Sequence, residues 1–227
     1  MIAALTGLIA GTIHVLTGPD HLSAIAPLAV RRPKGAWIPG VRWGLGHSSG
    51  VAVVGLLSLW LRGKLPVDLL SSWGDRIVGV VLFGIGLWAL HRAFKHNVHT
   101  HEHEHDGERH VHYHVHSHST PTIHKKARAH QHTHAAFAIG TLHGLAGSSH
   151  FLGILPMLAL PTMTQAVTYL ICFGAGTVLA MAMFSWGIGF FAARCEANSA
   201  KVYRGLMGTC AVAAMIIGGI WFVGKSW

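Results

Sequence analysis

Six apolar runs, at about residues 2–30, 36–61, 74–91, 135–160, 164–193 and 203–224, constrain this chain more than any other feature. Each comes near or exceeds the roughly 20 residues with which a helix crosses the hydrocarbon of a bilayer. The expected fold class is therefore an all-α polytopic membrane protein with six transmembrane helices. Composition agrees: 51% of the residues are hydrophobic and 11% are charged, against roughly 25% charged in soluble domains. Mean hydropathy is +0.45. The first run lacks a basic n-region and leads straight into a polar motif, so it is expected to stay in the mature chain rather than act as a cleaved signal peptide.

The runs fall into two copies. GTIHVLTGPDHLSAIAPLAV (11–30) and GTLHGLAGSSHFLGILPMLA (140–159) share Gly, Thr, His, Leu, Gly, His, Ile and Pro at a constant offset of 129. WGLG (43–46) aligns with FGAG (173–176), and Gly86-x-Trp88 with Gly219-x-Trp221. Each copy is three helices long, and an odd number of crossings obliges the second copy to enter the membrane from the opposite face. The expected organisation is a first three-helix repeat at 1–92, a His-rich cytoplasmic loop at 93–134 and a second, inverted three-helix repeat at 135–227. Duplicated packing alone would account for Gly44, Gly46, Gly174 and Gly176, but not for paired histidines.

The chain carries 17 Lys+Arg against 8 Asp+Glu. In a soluble protein this excess would point to nucleic acid; here its distribution points to topology, and no nucleic-acid partner is expected. One set of loops holds Arg31, Arg32, Lys34, Arg42, Arg92, Lys95, Arg109, Lys125, Lys126, Arg128, Arg194, Lys201 and Arg204; the other holds Arg62, Lys64, Arg76 and Lys225. Positive loops stay cytoplasmic, so the chain is expected in a bacterial-type inner membrane with both termini outside and the central loop in the cytoplasm. Cys172, Cys195 and Cys210 form no C-x-x-C pair, so neither a disulfide framework nor a thiol relay is indicated.

The central loop, with His91, holds 15 of the 20 histidines. It has too little apolar surface to fold alone and is expected to be disordered without metal. Its His-x-His repeats, His99, His101, His103, His105, His110, His112, His114, His116 and His118, form an auxiliary site for transition-metal ions, since neutral imidazole is a ligand for Zn, Ni, Cu and Co.

The other five histidines, His14, His21, His47, His143 and His150, all lie in expected spans, where ionisable groups are costly and mark functional sites. On an unbroken helix, His14 and His21 would be separated by about 10.5 Å along the axis, too far to share one ion. Gly18 and Pro19 lie between them and break the helix, with Gly147 as the corresponding break in the second copy. Asp20 is the one carboxylate expected inside a span and can partly neutralise a divalent ion; a proton relay is its main competing use. The metal-ligand candidates are therefore His14, Asp20, His21, His47, His143 and His150.

His14-Val-Leu-Thr-Gly-Pro-Asp20-His21, followed by a small-residue apolar run, resembles the signature of the nickel/cobalt transporter superfamily, in particular its short, UreH-like branch. The resemblance spans both copies, and the His-rich loop is similar to that of the nickel/cobalt efflux branch. It implies a permease for Ni2+ or Co2+, with His14, Asp20 and His21 as metal-recognition residues. The chain departs from the uptake branch in having five rather than four residues before the Asp-His pair and six helices where eight are common. Ser148-Ser149-His150 replaces Pro19-Asp20-His21 in the second copy.

The expected function is transmembrane transport of a divalent transition metal, Ni2+ or Co2+ with Zn2+ as a further candidate, and the Asp-His signature favours uptake. Efflux of the same ions by proton exchange is the alternative. A membrane metal chaperone or sensor, and a His-ligated metalloenzyme, are the other classes weighed. An anchor has no use for midplane histidines, and a metalloenzyme would want His-x-x-x-His boxes with several carboxylates. The chain is thus read as a non-enzyme without a permanent cofactor, whose partners are the metal ion, the lipid bilayer and, as a candidate, a cytoplasmic metal-accepting protein. Oligomeric state is left open.

Overall fold

The computed structural model describes residues 1–31, 35–61, 67–95, 98–105, 108–115, 128–146 and 150–223. Among them are eight helices: α1 (Ile2–Thr17), α2 (Pro19–Arg31), α3 (Trp37–Trp60), α4 (Val67–Lys95), α5 (Arg128–Ala146), α6 (His150–Leu158), α7 (Met163–Asn198) and α8 (Ala200–Val223). Two strands, β1 (Val98–His105) and β2 (Glu108–Val115), pair antiparallel. They fall within the segment expected to be disordered without metal, and their register sets His99 against His114, His101 against His112 and His103 against His110.

Trp73–Phe94, Met163–Cys195 and Lys201–Val223 are each long and apolar enough to cross a membrane, and α1 and α2 pass the same test together, bent by 72° at their junction. Among the described residues that makes three or four candidate spans by length and composition, where the sequence led us to expect six. Helix α3 falls short because Arg42, His47 and its serines and glycines dilute its apolar residues, α5 is diluted by Arg128, His130, His132, His134 and His143, and α6 is 9 residues long. The outer surface nevertheless fits lipid: Leu5, Ile9, Ile13 and Leu16 on α1 are exposed, as are Leu179, Met183, Trp186 and Phe190 on α7. At spacings of three and four residues, each set forms one stripe along its helix. Apolar stripes of this extent belong against acyl chains rather than water, and the chain is an integral membrane protein.

Small residues bring the helices together. Gly7 and Gly11 lie against the backbone of Tyr169 and Phe173, so α1 and α7 run side by side in the same direction. Gly140 and Gly144 lie in the same way against the backbone of Trp43 and His47, which sets α5 beside α3. The match extends to the partner glycines: Gly176 faces Leu8 and Thr12, and Gly46 faces Phe137 and Thr141. Between α3 and α7, Gly44 packs on Val178 and Gly174 on Ser48, a contact that runs antiparallel. Without a hydrophobic driving force in lipid, such close backbone approach is what holds helices together.

Helices α4 and α8 cross at Gly79 and Gly218, each of which faces the other's carbonyl. The sequence-aligned Gly86 and Gly219 have different surroundings at this contact. Gly86 is wedged against Ala211 and Met215, while nothing described lies within 4 Å of a Cβ on Gly219. Crossing position is set by which small residues let the two backbones approach, and a short dipeptide match does not register it.

Apolar clusters flank the polar interior. One gathers Ile154, Met157, Tyr169 and Phe173; another gathers Val15, Ile25, Trp43 and Leu82. Asp20, His21, His47 and His143 are buried among them.

Candidate metal centre

The centre begins at the end of α1. Gly18 leaves the helix with φ −88 and ψ 98, its N–H still donating to the Val15 carbonyl. Pro19 then starts α2, where a residue without an N–H and with φ preset is well tolerated. The Gly18 carbonyl accepts from the N–H groups of His21 (3.1 Å) and Leu22 (3.3 Å), so one peptide ends one helix and caps the next. This fold brings the His14 and His21 rings to 4.6 Å between centroids. It also sets Asp20 in the first turn of α2, where the positive end of the helix dipole favours an anion. A Cβ on Gly18 would collide with His21 Nδ1 and come within 2.9 Å of Asp20 Oδ1, so glycine here is a requirement of close approach.

Helices α3 and α5 complete the cluster. His47 and His143 come to 5.6 Å between ring centroids, and the His21 ring lies 4.9 Å from His47 and 4.7 Å from His143. His14 Nε2 and His47 Nε2 are 3.4 Å apart. Two imidazole nitrogens each about 2.0–2.1 Å from one ion can be no more than about 4.2 Å apart, so this pair fits a shared ion. One ligand atom from each of His14, His21 and His47 lies within 4.8 Å of the others, and the same holds for Asp20, His21 and His143.

The carboxylate of Asp20 is 1% exposed, and both its oxygens are engaged. Oδ1 is 2.9 Å from His21 Nδ1 and Oδ2 is 2.8 Å from His143 Nε2. An ionised carboxylate only accepts, so both imidazoles donate. With its proton on Nδ1, His21 presents a lone pair on Nε2, and that buried atom has no hydrogen-bond partner among the described residues. A buried acceptor left unsatisfied is costly, and a cation would satisfy it. This donor set suits a divalent transition metal.

Of the residues singled out in the sequence, the structure brings His14, Asp20, His21, His47 and His143 together, around the break at Gly18 and Pro19. His150 opens α6, and its side chain is outside the described residues, as is Gly147. His99, His101, His103, His105, His110, His112 and His114 lie on the strands; His116 and His118 are outside the described residues.

Two aromatic residues were missed. Trp43, fully buried, stacks on His47 at 4.9 Å and 9° and lies 5.4 Å from both His21 and His143. Phe173 lies 5.4 Å from His14. The signal was present: Trp43 and Phe173 open the aligned WGLG and FGAG segments, which drew notice for their glycines alone.

Residues 2–221 match the family described as the cytochrome C biogenesis protein transmembrane region. The chain belongs to this family. Within the family's reach of similarity, it is 34% identical over 188 residues to the chloroplast protein FOR GROWTH AND FERTILITY 1 of Arabidopsis thaliana, covering 82% of this chain and 49% of that one. It is 31% identical to the urease accessory protein UreH of Bacillus sp. (strain TB-90), covering 81% of this chain and 74% of UreH. A putative nickel/cobalt efflux system of Methanocaldococcus jannaschii is 25% identical over 100 residues, covering 42% of this chain and 46% of that protein. The chain thus spans about half the length of the chloroplast relative. No solved structure matches it. The UreH-like resemblance read from the Asp-His signature is borne out. As a member of the cytochrome C biogenesis transmembrane family, the chain has free cysteines at Cys172 and Cys195 on α7 and Cys210 on α8, none adjacent to another in sequence.

Proposed function

We propose that this protein carries a divalent transition-metal ion across the membrane and that the ion passes through the cluster of His14, Asp20, His21, His47 and His143. The observation that carries the reading is the cluster itself: four imidazoles and one carboxylate packed together inside a lipid-embedded helical body. Burying these groups is expensive in lipid, and a transported cation gives the expense a purpose. The name of the nickel/cobalt efflux relative supports the same reading and selects Ni2+ and Co2+ as the first ions to test. The chain is a membrane protein without enzymatic chemistry, as the named accessory and transport relatives support.

Its working architecture is six crossings in two inverted three-helix repeats. Supporting this are the matched contacts of Gly11 on Phe173 and Gly140 on Trp43, and the antiparallel contact of α3 with α7. In this arrangement the shorter, interrupted pairs α1–α2 and α5–α6 are the discontinuous elements found at transporter midplanes. The His-rich segment lies in the cytoplasm and gathers metal there.

Uptake is the favoured direction. A divalent cation moving inward through about 100 mV, negative inside, gains roughly 4.6 kcal/mol, with no other driving force required. Efflux by proton exchange is favoured by one observation, the efflux relative's name, and protonatable ligands would serve it. Flux of Ni2+, Co2+ and Zn2+ into oriented proteoliposomes, with the potential set to either sign, tests both. Flux that follows an inside-negative potential without a proton gradient supports uptake. Flux that requires a proton gradient supports exchange, and absence of flux for all three ions overturns the transport reading.

A further inference from the structure

We propose that Asp20 is a positioning residue and not an ion ligand: it fastens His21 of α2 to His143 of α5, and the ion is held by nitrogens of His14, His21 and His47. The proposal rests on the metal-transport reading of this site and deepens it. Each Asp20 oxygen already has its own imidazole, at 2.9 Å for His21 Nδ1 and 2.8 Å for His143 Nε2. These are charge-assisted hydrogen bonds of ordinary length. They set the His21 tautomer and leave its Nε2 as the buried atom without a partner. A carboxylate holding the far nitrogen of a metal-binding histidine fixes the ring's orientation and raises its basicity.

The two candidate triads are therefore unequal. An ion among Asp20, His21 and His143 would displace both hydrogen bonds and leave His21 Nε2 unsatisfied in the interior. An ion among His14, His21 and His47 keeps both bonds of Asp20, satisfies Nε2, and displaces only the long 3.4 Å contact between the Nε2 atoms of His14 and His47, which would both become its ligands. Asp20 then compensates the ion's charge at one remove, and it ties the α1–α2 break to a helix of the second repeat copy. A protein ligand set of nitrogen alone favours Ni2+, Co2+, Zn2+ and Cu2+ over Mg2+ and Mn2+, which prefer oxygen.

The test is the ligand shell of Co2+ bound to the purified full-length protein, read by visible absorption and by X-ray absorption as the difference between each variant and the parent, in which Co2+ held by the His-rich segment is common to both. Asp20→Asn keeps one acceptor for His21, and its amide can donate to a neutral His143. It should bind Co2+ roughly 10–100-fold more weakly with the spectrum of the parent. His47→Ala should change the spectrum and remove one imidazole from the shell. His143→Gln, which still donates to Asp20, should keep the parent's imidazole count. A shell altered by Asp20→Asn, or one imidazole poorer in His143→Gln, puts the ion in the other triad and overturns the proposal while leaving metal transport intact. Spectra of bound Co2+, Ni2+ and Zn2+ that no change at His14, His21, His47 or His143 alters overturn both. If Asp20→Asn does not fold, His143→Gln alone decides between the triads.

Discussion

The histidines divide by what their nitrogens do. His14 and His21 stand on either side of a helix break, and each offers a nitrogen to the same small volume, so truncating either to alanine should abolish metal flux with the loop histidines still in place. Asp20→Asn keeps the side chain's size and removes its charge. Flux at low metal should fall roughly 10–100-fold, the range for partners that orient a metal ligand, while the far-ultraviolet circular dichroism stays that of a folded helical protein. Unaltered flux in Asp20→Asn would remove this residue from the site altogether. Trp43 belongs in the same discussion. Its ring lies flat on His47 and close to two further histidines, so it limits how far these rings can turn as an ion enters.

Among elements, the decisive contacts are glycine against backbone. A Cβ at Gly140 would strike the Trp43 carbonyl, and one at Gly11 the Phe173 carbonyl. Gly140→Ala should therefore push α5 off α3 and cost about 1–3 kcal/mol, the usual range for overpacking, seen as a lower unfolding temperature in detergent. Gly187→Ala, with nothing described within 4 Å of the new Cβ, is the control and should be neutral or slightly stabilising, since alanine is the better helix former. An equal loss in both variants would mean that the close approach at Gly140 does not set the effect. The β1–β2 hairpin is separable in the same sense. Removing residues 97–133 and joining the flanks with a short flexible linker should leave maximal flux within a few-fold and shift its dependence on metal concentration. A stable, inserted deletion that carries no metal would make this segment part of the pathway.

For the molecule as a whole, the proposed inverted-repeat architecture makes a statement about sidedness. With an even number of crossings and the basic loops inside, a cysteine introduced near Thr120 should be labelled from the cytoplasm only, and tags at both termini from the outside only. Labelling of the two termini from opposite sides would mean an odd number of crossings. The count of three or four apolar spans shows why this matters. Helix α3 carries Arg42 and His47, and α5 carries His143 into the interior, so two of the helices that build the site are among those that fall short by hydropathy.

The amino-acid sequence alone determined that this is a membrane protein and that a helix breaks between His14 and His21, and it pointed to a duplication. These are local or periodic signals: apolar runs, an offset of 129 and a Gly-Pro pair are carried by neighbouring residues and need no fold to be seen. The sequence also pointed to the five histidines and Asp20, because ionisable groups stand out against apolar neighbours. Tertiary structure alone decided which atoms meet. The bond from Asp20 to His143 spans 123 residues, and the approach of His14 to His47 depends on α1 and α5 packing through glycines against α7 and α3. The pairing of Gly79 with Gly218, and Trp43 laid against His47, were likewise decided only by three-dimensional packing. Residue type announces a ligand, whereas its partner is chosen by the shape of every helix between them.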